Sequence, residues 1–306
     1  MMSDIVIETR RLTKRYRGRC AVDSLDLQVK RGTVFGFLGP NGAGKTTTIH
    51  MLLGSARPSA GEGWVLGRPL GETAVRRRIG FLPEKTTFYP FLTAQEFLQA
   101  MGELSGLRRA ELSARIPKTL QLVGLAERAR DRIGSFSRGM QQRLGLAQAI
   151  LHAPELIILD EPTSALDPLG RRDVRDLILA LKREGCTLFL NSHLLSEIEM
   201  TCDEVAILKQ GRVAVSGPLQ DLLQVQQTVE IEVEEMNEAA MSALRRLTPK
   251  IKMHGMPPRR LTLYIRSAED VPEIARALVH NGTRLLSLIP QRETLEELFV
   301  RVIEGE

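Results

Sequence analysis

The stretch Val34-Phe-Gly-Phe-Leu-Gly-Pro-Asn-Gly-Ala-Gly-Lys-Thr-Thr47 decides the fold. Gly39 to Thr46 match the pattern G-x-x-x-x-G-K-[ST] of a phosphate-binding loop, which extends to Thr47. Val34 to Leu38 read as a short buried strand, and Thr46 to Leu53 continue as a helix. The loop therefore lies between a strand and a helix. Its segment Gly39, Pro40, Asn41, Gly42, Ala43 and Gly44 is rich in glycine, so backbone N–H groups can converge on phosphate oxygens. The helix that follows turns its positive N-terminal end toward the same anion. Lys45 is then placed to pair with β- and γ-phosphates, and Thr46 to offer its hydroxyl to Mg²⁺.

Outward from this loop, Leu156 to Leu159, Thr187 to Leu190 and Val205 to Leu208 are apolar runs of strand length. Helical patterns such as Leu169 to Lys182 separate them, which predicts a mainly parallel sheet covered by helices. Between Glu84 and Ala153 the pattern is helical only. It begins at Thr93-Ala-Gln-Glu96, a capping box ahead of Phe97, Leu98 and Met101. From about Val225 alternation restarts in Val229-Glu-Ile-Glu-Val233 and Leu261-Thr-Leu-Tyr-Ile265, with helical stretches near 271–279 and 294–303. The expected fold is an α/β domain over 1–224 with a helical insert at about 85–153, then a small α+β domain over 225–306.

Leu156-Ile-Ile-Leu-Asp160-Glu161 sets two carboxylates at the carboxyl end of a buried strand, where open α/β sheets collect their ligands. Asp160 is the candidate for holding Mg²⁺, directly or through water. Glu161, one residue on, is suited to accept a proton from an attacking water. With the loop, these residues specify a nucleotide hydrolase.

Composition narrows the remaining classes. No stretch approaches the roughly 20 apolar residues needed to cross a bilayer, and Met1 to Ile7 lack the features of a signal peptide, so a cytoplasmic chain is expected. Cys20, Cys186 and Cys202 are isolated, against both a disulfide framework and a zinc ribbon. His50, His152, His254 and His280 lack metal-ligand spacing and read as structural or surface residues, and Trp64 as a strand residue near a turn. The net charge of +5 comes partly from clusters at 10–19 and 76–78, which either meet anions or are solvated faces.

Phe136-Ser-Arg-Gly-Met-Gln-Gln-Arg143 resembles the LSGGQ signature, with its following Gln-Arg pair, of the ABC ATPase family. Pro162-Thr-Ser-Ala-Leu-Asp167 is similar to that family's D-loop, His193 to its switch histidine, and Tyr16 to the aromatic that stacks on adenine. Tyr16 can equally be a packing residue. The resemblance covers nearly all of residues 5 to 220. It implies two ATP-binding subunits, identical or different, closing head to tail. Each ATP then lies between the phosphate loop of one subunit and Ser137, Arg138 and Gly139 of the other. It also implies a role for Asp167 beside the nucleotide, for Glu161 as general base, and for His193 on the γ-phosphate.

Two motifs depart from the family pattern. Phe136, Arg138 and Met140 replace the usual Leu, Gly and Gln of the signature, and Arg138 either adds charge near the γ-phosphate or points to solvent. Glu84, in Gly80-Phe-Leu-Pro-Glu84, stands where the family has the Q-loop glutamine, and its oxygen can still ligate Mg²⁺. The resemblance implies an ATPase powering a separate membrane permease, docked in the groove between the Glu84 loop and the helical insert. Residues 80–84, 136–143 and Thr294-Leu-Glu-Glu-Leu-Phe299 resemble ATPases of drug, antibiotic and polysaccharide exporters. The rival is a soluble ABC ATPase acting on nucleic acid or ribosomes. The basic balance permits it, but the chain lacks the paired cassettes, long coiled coil or zinc cysteines of such relatives.

Overall fold

The computed structural model describes residues 4–223, 228–248, 250–255, 260–267, 269–291 and 293–305. The chain forms two compact units, Met1–Leu219 together with Phe299–Glu306, and Gln220–Leu298. The sequence places all of 225–306 in the small unit, whereas the last eight residues group with the first. One reason is local: Lys209 donates its ammonium to the Val302 carbonyl, 3.2 Å away, near the carboxyl end of the last helix.

In the first unit, β1 (Ile5–Tyr16) and β2 (Arg19–Lys30) form a long antiparallel hairpin. Its turn holds Arg17 at φ 40° and Gly18 at φ 86°, both left-handed, as a two-residue hairpin turn that matches strand twist requires. Next come β3 (Val34–Leu38), α1 (Lys45–Leu52), β4 (Ala60–Val65), β5 (Arg68–Pro69), α2 (Thr73–Arg76) and β6 (Ile79–Leu82). The hairpin joins β4 and β5 in a sheet of order β2-β1-β4-β5.

Between residues 85 and 153 lie α3 (Ala94–Leu104), α4 (Arg109–Leu122) and α5 (Arg138–Ile150). The capping box expected for α3 is formed: Thr93 Oγ1 accepts from the Glu96 N–H at 3.2 Å, and Glu96 Oε2 accepts from the Thr93 N–H at 2.8 Å. The chain continues through β7 (Leu156–Asp160), α6 (Pro168–Arg183), β8 (Thr187–Asn191), α7 (Leu195–Thr201), β9 (Glu204–Lys209), β10 (Arg212–Pro218) and α8 (Leu219–Leu222).

A second sheet has the order β10-β9-β3-β8-β7-β6, parallel except for the edge strand β10. Every residue of β3, β7 and β8 is buried, which explains why they read as unbroken apolar runs rather than alternating ones. Phe35 and Phe189 stack with ring centroids 5.8 Å apart, and Phe37 tilts against Phe189 at 5.0 Å. Because β3, β8 and β7 are neighbours, residues 39–46, 191–193 and 160–161 emerge side by side at their carboxyl ends. That adjacency builds the site.

The second unit runs β11 (Thr228–Val233), α9 (Glu238–Leu247), β12 (Lys250–His254), β13 (Arg260–Tyr264), α10 (Asp270–His280) and β14 (Leu285–Gln291), and α11 (Leu295–Glu304) follows. The antiparallel order β12-β13-β11-β14 with two crossover helices is a ferredoxin-like split βαβ arrangement. Val229, Ile231 and Val233 of β11 form its core with Ala240, Leu244, Leu261, Leu263, Ile274 and Leu278.

Candidate active site

The phosphate loop closes on its glycines for two reasons. Gly42 and Gly44 adopt φ 80° and 105°, which other L-residues rarely do. A β-carbon on Gly44 would also stand 2.4 Å from the Ala21 carbonyl oxygen, and one on Gly39 2.7 Å from that of Leu208. Ala43 is buried beneath the loop, and its carbonyl accepts from the Gly211 N–H at 3.0 Å. Lys45 Nζ donates to the carbonyls of Gly39 at 2.6 Å and Pro40 at 3.2 Å. Burial lowers the proton affinity of its ammonium, against the opposing pull of Glu161, Asp160 and Glu84.

An open cleft of about 960 Å³ runs along this loop. Gly39, Pro40, Asn41, Gly42 and Gly44 line it, as do Lys45, Thr46 and Thr47. Tyr16, Glu84, Glu161 and His193 complete the expected residues there. Tyr16 ends β1 in register with Arg19 across the hairpin turn, so both reach the cleft. Tyr16 is 48% exposed, with the Lys14 ammonium over one ring face at 4.7 Å from the centroid.

Asp160 is buried at the end of β7, where the Asn191 amide donates to its Oδ1. Burial raises its proton affinity above the ordinary carboxylate range; the Asn191 hydrogen bond opposes this and Glu84 adds to it. Asn191 Oδ1 is buried without a hydrogen-bond partner while the residue lines the cleft. Glu161 adopts φ 55°, a left-handed backbone that costs a non-glycine residue on the order of 1–3 kcal/mol. Two contacts hold it there. Its N–H donates to the Asn191 carbonyl at 2.8 Å, and Gln142 of α5 donates to the carbonyls of Glu161 and Pro162, both at 3.1 Å. The result points Glu161 Oε2 at His193 Nδ1, 2.7 Å away. Burial raises the proton affinity of Glu161 as well, with His193 opposing.

The signature residues are elsewhere. Ser137 caps α5, its Oγ accepting from the Met140 N–H at 3.2 Å, so Arg138 and Gly139 occupy the first turn of that helix. None of the three lines the phosphate-loop cleft. Arg138 and Asp167 line a second open cleft of about 800 Å³ with Glu84 and Gln142, so Glu84 borders both. Asp167 caps α6 by accepting from the Gly170 N–H at 2.8 Å.

Sequence reading missed four contributors to the site. Arg19 and Phe299 line the cleft, Asn191 holds Asp160, and Gln142 holds the backbone of Glu161. The histidines outside the site have structural partners where these are seen: His152 Nε2 lies 3.1 Å from the Ile79 carbonyl and His50 Nδ1 3.0 Å from Ser55 Oγ. Trp64 lies in β4 under the Arg10 guanidinium, and the three cysteines are free thiols. Among the described residues no cluster of His, Cys, Asp and Glu could hold a metal by itself. Thr46 and Glu84 line the cleft, and Asp160 is close enough to Glu84 for their charges to interact, so hard oxygen donors of the kind Mg²⁺ takes are present.

Residues 22–164 match the family model described as ABC transporter. The bacitracin transport ATP-binding protein BcrA of Bacillus licheniformis is 36% identical over 307 residues, covering 98% of each chain. The Nod factor export ATP-binding protein I of Cupriavidus pinatubonensis is 34% identical, covering 98% of this chain and 91% of its own. Among solved structures, an ATP-binding subunit of an ABC transporter matches with a TM-score of 0.66 and 32% identity over 71% of this chain and 91% of its own. An ATP-binding cassette solved as a dimer with ADP and Pi matches with a TM-score of 0.65 and 25% identity, over 70% of this chain and 98% of its own.

Proposed function

This chain belongs to the ABC transporter family of ATP-binding proteins, and from that premise we propose that it hydrolyses ATP to drive export through a separate permease. One observation carries the mechanism. The phosphate loop, Glu161 and His193 share a cleft that Ser137, Arg138 and Gly139 do not reach. A second copy, placed head to tail, supplies those residues, so that two clefts close over two ATP molecules.

Within each cleft the loop N–H groups and Lys45 bind the phosphates, and Tyr16 stacks on the base by its free face. Thr46, Asp160 and Glu84 would hold Mg²⁺, which would neutralise phosphate charge when bound. Glu161 takes a proton from the attacking water, its raised proton affinity suiting it to that task, and His193 orients the γ-phosphate side. Ser137 and the α5 N-terminus of the partner complete the anion site, with Arg138 adding positive charge. Asp167 keeps the loop before α6 in place at that interface.

No helix among the described residues is long and apolar enough to cross a membrane. The relatives named as ATP-binding proteins of bacitracin transport and Nod factor export support a permease on another chain. Its docking groove is lined by Phe81, Lys85, Thr86 and Tyr89 on the Glu84 side and by Phe97, Met101 and Leu104 of α3. The chain then works at the inner face of the cell membrane. Co-purification with the permease encoded beside it, followed by ATP-driven transport in vesicles, tests the reading. Salt-sensitive binding to RNA or DNA, with no permease association, would replace it with the nucleic-acid alternative.

A further inference from the structure

We infer that α11 supplies a second contact for the nucleotide base, with Phe299 as the base-contacting residue and Lys209 as the residue that positions it. This rests on the reading of the cleft as an ATP site.

Phe299 lines the same cleft as Tyr16, Arg19 and the phosphate loop, although it lies more than 250 residues from them along the chain. Its position is anchored. Val302, three residues on and so on the same helix face, has its carbonyl held by Lys209 Nζ at 3.2 Å. An ammonium at the end of a helix also meets the negative pole of its dipole. Lys209 ends β9, and two residues later the Gly211 N–H bonds the carbonyl of Ala43 in the phosphate loop at 3.0 Å. The helix and the loop are thus tied to the same β9–β10 turn.

The chemistry of the cleft says which part of the ligand Phe299 meets. Lys45, Thr46 and the loop N–H groups take phosphate, whereas a half-buried phenyl ring offers nothing to an anion. Tyr16, which also lines the cleft, already has Lys14 over one face. A purine between Tyr16 and Phe299 would bury two π-faces that water otherwise covers.

The test separates base from phosphate. Phe299→Ala should weaken ATP binding by about five- to a hundredfold, the range for losing one aromatic stacking partner, while inorganic tripolyphosphate binds as before. Phe299→Tyr should restore ATP affinity. Lys209→Ala should weaken ATP in the same direction and again spare tripolyphosphate. The chain has one tryptophan, so Phe299→Trp in a Trp64→Phe background gives an independent signal. Its fluorescence should change with ATP and not with tripolyphosphate. Equal losses for both ligands in Phe299→Ala, or no loss for either, would overturn the inference. Failure of the unaltered chain to bind ATP would instead remove the proposed function.

Discussion

Glu161 concentrates the cost of function in one residue. Its backbone is left-handed, its carboxylate is largely buried, and Asp160 stands next to it. Because burial raises its proton affinity, the ionised form that the proposed base role requires weakens the fold. Stability is greatest where Glu161 is protonated, declines as pH rises from its unfolded to its folded pKa, and stays reduced at neutral pH. Glu161→Gln should therefore raise the melting temperature at pH 7, while slowing hydrolysis about 10²- to 10⁴-fold with ATP binding retained. Calorimetry and a steady-state ATPase assay check both parts, and normal turnover would remove Glu161 as the base. The same shift sets the pH profile. The acid limb of kcat should lie above the ordinary glutamate value of about 4.3 and disappear in Glu161→Gln. Glu84→Gln removes one of three carboxylates around Lys45, and it should raise the Mg²⁺ concentration for half-maximal activity severalfold. An unchanged Mg²⁺ requirement there would exclude Glu84 as a ligand.

At the scale of elements, α5 joins two functions. Its capped N-terminus carries the signature, and Gln142 in its second turn holds the Glu161 backbone of the same chain. Ser137→Ala should destabilise the fold by about 1 kcal/mol through loss of the cap, whereas its effect on ATPase rate should be far larger. Thr93→Ala removes an equivalent cap from α3, so it should cost a similar stability in denaturant titration and leave ATP binding intact. The elements themselves were readable where the physics is local. Leu156 to Leu159 and Leu188 to Leu190 are apolar because both sheet faces are covered, and Thr93 with Glu96 announces a helix start. Gln142 was visible only as part of a motif, because its bond to residue 161 exists only once α5 packs beside β7. In β12 only Ile251 is even partly shielded and the other four residues are exposed, so it carries no alternating apolar signal.

For the whole molecule, the loop, the Asp-Glu pair and His193 were legible because each follows closely on a buried apolar strand, and strand order then sets them side by side at the carboxyl ends of β3, β7 and β8. Arg19 and Phe299 were not, since one sits at a hairpin turn and the other returns from the far end of the chain. The return of residues 299–306 to the first unit is a product of tertiary contacts alone. In the proposed function the working unit extends further still, to a second copy whose Ser137 and Gly139 would face the first copy's phosphate loop. Light scattering on Glu161→Gln tests that claim directly. With ATP and Mg²⁺ the mass should double from the chain's 34.1 kDa, and Ser137→Arg in the same background should return it to a monomer that still binds ATP. A mass of one chain at saturating ATP, in a Glu161→Gln protein shown to hold the nucleotide, would contradict the shared site.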